Sequence, residues 1–319
     1  MAGLVAGSVL RPDSTASAGT AAPALDPCNL PAPIQALKPM RDGIVPITAA
    51  ERGGRVERAR QLMTEGGFAA VVLEPGTNLS YYTGVRWGLS ERPFVGIMPA
   101  RGELAFVCPG FEEARAREGI PAGAEVRVWQ EDESPYAVIA AILRDRGLAT
   151  GTIGVEAQTR YFISDGVRRE APAATYLSAD PVTVGCRSIK SPAELALMQR
   201  ANDMTVAAFA AAFATLHEGM TQYELSENMS EAMTRLGGRE PWALVGLGQA
   251  SAFPHGTQAP QSLKEGDIVL LDAGCSVQGY QSDITRTTVY GKPTARQTQV
   301  WNLERRAQDA ALAAAQPGA

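Results

Sequence analysis

The densest run of chemically capable residues lies between Phe253 and Thr287. Phe253-Pro254-His255-Gly256 sets a histidine in a turn bounded by proline and glycine rather than inside a helix. Ile268-Val269-Leu270-Leu271 reads as a core strand with Asp272 at its end, and Ala273-Gly274 lets another group come close. Asp283 follows eleven residues later, within Gln281-Ser282-Asp283-Ile284-Thr285-Arg286-Thr287. A turn at Gly279 predicts a hairpin in which Asp272 and Asp283 face each other. Strand alternation puts Asp283, Thr285 and Thr287 on one face, Ile284 and Arg286 on the other. Two facing carboxylates repel unless a cation or a shared proton compensates. Oxygen donors of this kind suit a hard or borderline metal such as Mn²⁺ or Zn²⁺. The competing reading is a strand-end aspartate and an unrelated surface aspartate. His255 reads either as a surface turn residue or as a group that hydrogen-bonds substrate and moves a proton near neutral pH.

Little else in the chain competes for a chemical role. The only other histidine, His217, is placed by its pattern in the last turn of a helix, where an imidazole favours the carbonyl end for structural reasons. Cys28, Cys108, Cys186 and Cys275 form no C-x-x-C pair and read as isolated thiols. Gly246, Gly248 and Gly256 do not make G-x-G-x-x-G, and no P-loop occurs, so nucleotide binding is disfavoured. The formal charge is -5 with no lysine- or arginine-dense stripe, which argues against a nucleic-acid partner. No run of eighteen apolar residues exists, so no transmembrane helix is expected.

The elements that must position these residues fall into two patterns. Over residues 47–185, helices expected at Arg55–Gly66, Phe111–Arg117, Pro135–Arg146 and Tyr161–Arg169 alternate with strands at Phe68–Leu73, Pro93–Met98, Glu103–Cys108, Glu125–Trp129, Thr152–Val155 and Thr175–Leu177. This predicts an α/β domain. Tyr81, Tyr82 and Trp87 read as packing for it, or alternatively as reaching a substrate cleft. Over 186–319, Ser191-Pro192-Ala193-Glu194 opens a helix that Gly219 stops, and Thr221-Gln222-Tyr223-Glu224 opens a second. Strands follow at Ala243–Leu247, Asp267–Leu271 and Val277–Tyr290, then a helix capped by Thr294 and Gln297. This is an α+β pattern. With 319 residues and 45% hydrophobic composition, two globular domains are affordable.

Residues 1–46 differ from the rest. An apolar start is followed by small polar residues, and Ala16-Ser17-Ala18 has the A-x-A form of a signal-peptidase site, without a basic segment before it. The segment reads as a disordered tail, or as a signal remnant if the true start lies upstream of Met1. The stretch from Asp26 to Pro46 reads as an extended, proline-rich lead-in. The expected location is the cytoplasm, with export as the alternative under the signal reading.

Taken together, Pro254-His255-Gly256, Leu270-Leu271-Asp272-Ala273-Gly274 and Ser282-Asp283-Ile284-Thr285-Arg286-Thr287 resemble the pita-bread metallopeptidases, which include Xaa-Pro dipeptidases (prolidases), Xaa-Pro aminopeptidases and creatinases. Weaker, correctly ordered matches run through residues 78–84, 188–202 and 290–314, so the resemblance covers about 47–319. It implies a creatinase-like N-terminal domain followed by a pita-bread catalytic domain. It further implies Asp272 as a ligand of one metal, Asp283 as a bridge between two, and His255 in contact with substrate or the tetrahedral intermediate. The implied cofactors are two divalent ions, Mn²⁺, Co²⁺ or Zn²⁺, and the implied partners are a proline-containing peptide and, for the full-length enzyme, a second copy of the chain.

The family pattern also asks for a later histidine and two glutamates, and both histidines of this chain precede Asp272. The sequence therefore predicts about the first half of the pita-bread domain, from a truncated record of a longer enzyme, and a chain inactive by itself. A non-catalytic binding or assembly module and a creatinase-like, metal-free amidinohydrolase are the alternative readings. Retention of both aspartates argues for the metallopeptidase.

Overall fold

A computed structural model describes residues 30–318. The A-x-A segment and Cys28 lie outside the described residues. Two compact units are formed, one from Val45 to Leu197, the other joining the described residues up to Ile44 with those from Met198 onward.

The described chain opens with a short helix, α1 (Ala32–Gln35). The first unit then runs α2 (Ala49–Gly66), β1 (Phe68–Leu73), α3 (Thr77–Thr83), β2 (Val95–Pro99), β3 (Ala105–Pro109), α4 (Glu113–Gly119), β4 (Glu125–Trp129), α5 (Pro135–Asp145), β5 (Thr152–Val155), α6 (Tyr161–Glu170), β6 (Thr175–Ser178) and α7 (Asp180–Arg187). Its six strands form a mixed sheet in the order β4-β3-β2-β1-β5-β6. One sheet face packs on α2, α3, α4 and α7 through Met63, Leu79, Tyr82, Ala116 and Val182; the other packs on α5 and α6 through Ile139, Leu143, Ile163 and Val167. The central strands β2 and β3 are buried at every position, as an apolar run with helices on both sides requires. Tyr81, Tyr82 and Trp87 all belong to this packing, with Trp87 stacked on Phe94.

The structure extends and corrects the sequence reading here. Helix α2 begins at Ala49, six residues before the predicted start, because Thr48 and Glu51 form a reciprocal capping box that outweighs Gly53 and Gly54. Helices α3 and α7 were not anticipated. Both are short and lie next to glycine or proline, which read locally as loop.

The second unit contains α1 and the chain from Met198, within α8 (Pro192–Phe213), followed by α9 (Gln222–Leu236), β7 (Arg239–Leu247), β8 (Ile268–Val277), β9 (Tyr280–Gln281), β10 (Ile284–Val289) and α10 (Ala295–Ala314). The lead-in expected to be extended and featureless is instead docked over its described part. Ile34 of α1 is fully buried, the Met40 N–H donates to the Leu236 carbonyl at 2.8 Å, and Arg235 donates to the Gln35 carbonyl. Proline at the first turn is compatible with a helix, so the prolines that suggested an extended chain start α1 instead. The capping predicted for α8, α9 and α10 is present at Ser191, Thr221 and Thr294. The α9 N-terminus pairs with the chain before β8 through the Thr221–Ser262 bridge.

The sheet of this unit runs β10-β8-β7, with β9 extending the hairpin from β8. All pairs are antiparallel. Strand β8 is longer than predicted and carries Asp272 at its centre, not its end. On one face Val269, Leu271, Ala273 and Cys275 are fully buried, with Cys275 against Ala201 and Thr205 of α8. On the other face stand Asp272 and its neighbours, without a covering helix among the described residues. Helix α10 has no buried residue.

Candidate active site on the open sheet face

The geometry of the open face follows from one turn. Gln278 and Gly279 form a two-residue loop with φ of 54° and 88°, the left-handed pair that a tight hairpin needs. This loop fixes Val277 opposite Tyr280 and Ser276 opposite Gln281. The register continues through Ser282, whose N–H donates to the Cys275 carbonyl at 2.9 Å, into β10, where Ile284 pairs with Ala273 and Thr285 with Asp272. Asp283 therefore falls opposite Gly274, one step diagonal from Asp272. The predicted face-to-face placement of the two carboxylates is corrected to a diagonal one, and Thr285 takes the position directly across.

That correction reveals a contact the sequence reading missed. The Thr285 hydroxyl donates to Asp272 Oδ1 at 2.6 Å, a short bond to a carboxylate. It fixes one oxygen of Asp272 and leaves the other free. Counting outward from the Gln278-Gly279 loop is the signal that would have found it. Across the sheet on the other side, Leu244 of β7 pairs with Asp272. Leu244 also lines a pocket of about 300 Å³ with His255, Gly256, Gln222, Tyr223 and Ser226. One row of the sheet thus runs from the wall of the histidine pocket, through Asp272, to Thr285.

Local structure explains why each group is held. Gly256 has φ of 76°, and its N–H donates to the Phe253 carbonyl, closing the turn that carries His255. The His255 side chain is exposed and makes no hydrogen bond among the described residues. Asp283 is anchored through its neighbour: Ser282 is buried, its hydroxyl lies 2.7 Å from that of Thr205, and it accepts the Cys275 N–H at 2.9 Å. Beneath the carboxylate face a buried polar knot therefore fixes the backbone at Ser282-Asp283. Gly274 is required there, because a Cβ would collide with the Ser282 carbonyl.

His217 plays no part in this face. It lies beyond the end of α8 rather than in its last turn, with Nδ1 3.0 Å from the Glu218 carbonyl and Nε2 3.0 Å from Glu224. The cysteines Cys108, Cys186 and Cys275 are free and buried, in keeping with core thiols.

The donor chemistry of Asp272 and Asp283 suits a hard divalent cation, but their number does not complete a site. Among the described residues no group of three or more His, Cys, Asp or Glu side chains stands together. A dinuclear centre needs at least four ligands for each metal.

Comparison with known proteins bears on this arrangement. Residues 196–319 match the model of metallopeptidase family M24, and residues 55–189 match the creatinase/prolidase N-terminal domain. An uncharacterized peptidase of Schizosaccharomyces pombe is 34% identical over 96% of the chain and 68% of its own length. The chain belongs to metallopeptidase family M24. The Xaa-Pro dipeptidase of Pyrococcus furiosus is 27% identical to this M24 chain over 83% of it and 72% of the relative. The crystal structure of dipeptidase PepE from Mycobacterium ulcerans superposes with a TM-score of 0.77 at 28% identity, covering 84% of the chain and 72% of that structure. The M24 chain is thus a creatinase-type α/β domain followed by an α+β pita-bread domain, of which about the first half is present. Membership of M24 carries with it peptide substrates and divalent metal cofactors in general.

Proposed function

We propose that this M24 chain forms the first part of the active face of a metal-dependent peptidase acting on Xaa-Pro dipeptides or N-terminal Xaa-Pro bonds. The observation that carries the reading is the placement of Asp272 and Asp283 as diagonal neighbours on an uncovered sheet face, with Asp272 fixed by Thr285. Asp272 and Asp283 supply two carboxylates to the metal centre. His255, exposed on a rigid turn beside Leu244, offers an imidazole to the substrate. A histidine there is suited to hydrogen-bonding a peptide carbonyl and to moving a proton. The Xaa-Pro preference is supported by the resemblance to prolidases and by the relative named as an Xaa-Pro dipeptidase.

On this reading the two aspartates by themselves under-coordinate a metal, and no hydrolysis by the 319-residue chain alone is expected. That same observation favours the second reading, a non-catalytic binding or assembly module. The two separate in one assay. The chain is tested with Mn²⁺ on Ala-Pro, alone and fused to the segment of the Pyrococcus relative that extends past the matched region. The proposal expects no hydrolysis alone, and Mn²⁺-dependent hydrolysis by the fusion that D272N and D283N each abolish. A correctly folded fusion without hydrolysis supports the module, and hydrolysis surviving D283N contradicts the assigned metal role.

A further inference from the structure

We propose that the first unit holds a separate ligand site, a pocket between α7 and the loops after β1 and β5 that takes an aliphatic ω-amino acid, with Asp180 meeting its ammonium and Arg187 its carboxylate. The pocket lies wholly within the first unit and does not involve the carboxylate face, so it stands or falls apart from the peptidase reading.

The place follows from the sheet. Strands β1 and β5 run parallel, and the chain leaves them at Glu74 and Glu156. Open α/β sheets bind ligands in the crevice beyond the carboxyl ends of such strands, since helices fill the sheet faces themselves. Here the crevice is a pocket of about 340 Å³, lined by both loops, by Leu89 and by one face of α7. That volume is in the range of small-molecule sites. The lining residues of α7 are Asp180, Thr183, Val184 and Arg187, spaced i, i+3, i+4 and i+7, so all four share a face. Thr183 is buried with its hydroxyl donating to the Ala179 carbonyl, and it closes the floor without offering a donor.

Charge defines the two ends of the ligand. Glu74 is buried, and Arg160 satisfies it through its backbone N–H at 2.9 Å and its Nε at 2.5 Å. Glu156 accepts the Glu74 N–H at 2.9 Å and a bond from the Asn78 side chain. Both carboxylates are thus engaged by the protein. Asp180 is not: only its backbone N–H is taken up, by the Ser178 hydroxyl, and its carboxylate has no hydrogen bond or ion pair among the described residues. Arg187 donates one N–H to Asn78 Oδ1 at 2.8 Å and forms no ion pair among the described residues, which leaves the rest of its planar fork for a carboxylate. The two unpaired charges are seven residues apart on one helix face, about 10 Å along the axis. Between them Val184 is 51% exposed, and Leu89 on the pocket wall is 61% exposed. Opposite charges at the ends with apolar side chains between them match an ammonium and a carboxylate joined by methylenes. An extended chain of three methylenes, with a contact of about 2.8 Å at each end, covers the distance. An α-amino acid is too short to reach both ends, and a lone amine or carboxylate leaves one charge unanswered.

The test is a ¹H–¹⁵N NMR titration of the 319-residue chain with 4-aminobutyrate, using n-butylamine, butyrate and glycine as single-charge and short controls. The expected result is a saturable shift of amides in 156–158 and 180–187, with those around Asp272 unmoved. Each control is expected to bind about tenfold more weakly or worse. D180N and R187Q are each expected to weaken 4-aminobutyrate about tenfold, through loss of one charge-assisted contact. Melting temperatures check that the variants are folded. D180N, whose carboxylate supports nothing else in the fold, decides the matter if R187Q, which loses its bond to Asn78, is not. The proposal is overturned by the absence of saturable shifts in these segments, by equal binding of n-butylamine or butyrate, or by unchanged affinity in D180N. None of these outcomes bears on Asp272 or Asp283, so the peptidase reading is tested separately.

Discussion

The two sheets of this chain are built from similar apolar residues but are used differently. The six-stranded sheet of the first unit is covered by helices on both faces, and β2 and β3 have no exposed position. Among the described residues, the buried side chains of the second unit's sheet lie mainly on one face. There Leu271, Ala273 and Cys275 are sealed, while Asp272 on the same strand is half-buried and β10 has no buried position. A sheet covered on both faces has room only for packing. A sheet left open on one face can carry charge, and this one carries two carboxylates with a threonine directing one of them. Stability and chemistry are thereby divided between the two regions, and substitutions should show it.

The largest effect on stability is expected in the doubly covered sheet. Phe106 is fully buried in β3, and F106A should destabilise the first unit by about 3–5 kcal/mol in urea unfolding. The comparison breaks if D272N, on the open face, costs as much. D272N should stay within about 1 kcal/mol, because Asp272 is only half-buried and its one bond is to an exposed threonine.

An intermediate effect is expected at Gly274, where the two roles of the second sheet meet. G274A forces a methyl group against the Ser282 carbonyl and should cost about 1–3 kcal/mol while displacing Asp283. Urea unfolding and the amide shifts of Ser282 and Asp283 measure both consequences. Unchanged shifts would show that the backbone at Asp283 is not held by this close approach.

The smallest effect sharpens the comparison by placing a titrating group away from the carboxylate face. The Glu218 carbonyl and then the Glu224 carboxylate hold His217 above the ordinary histidine value. A raised folded value means the protonated form is favoured by folding. The stabilisation is full below the unfolded value of about 6.5 and is lost as pH rises through the higher folded value. H217Q should flatten the melting temperature against pH over that window. A slope that persists in H217Q would assign it to another group.

Much of this division could be read from residue order. Apolar runs such as Val71-Val72-Leu73 marked strands buried on both sides, and Ser191, Thr221 and Thr294 marked helix starts, because caps depend on a few neighbouring residues. Asp272, Asp283 and His255 were legible through motifs and spacing. What escaped depended on register and on distant contacts. Thr285 could not be set opposite Asp272 without knowing that the loop was Gln278-Gly279, since a single step of register moves every partner. The docking of α1 relies on Leu236, about two hundred residues away, and no local pattern encodes it.

The claim that the open face is one part of a metal centre is tested most directly by titrating Mn²⁺ into the ¹⁵N-labelled 319-residue chain and mapping paramagnetic broadening. The account predicts weak binding, with broadening centred on Asp272, Asp283 and Thr285 and abolished by the D272N/D283N double variant. Broadening centred elsewhere, or the same broadening in the double variant, would contradict it.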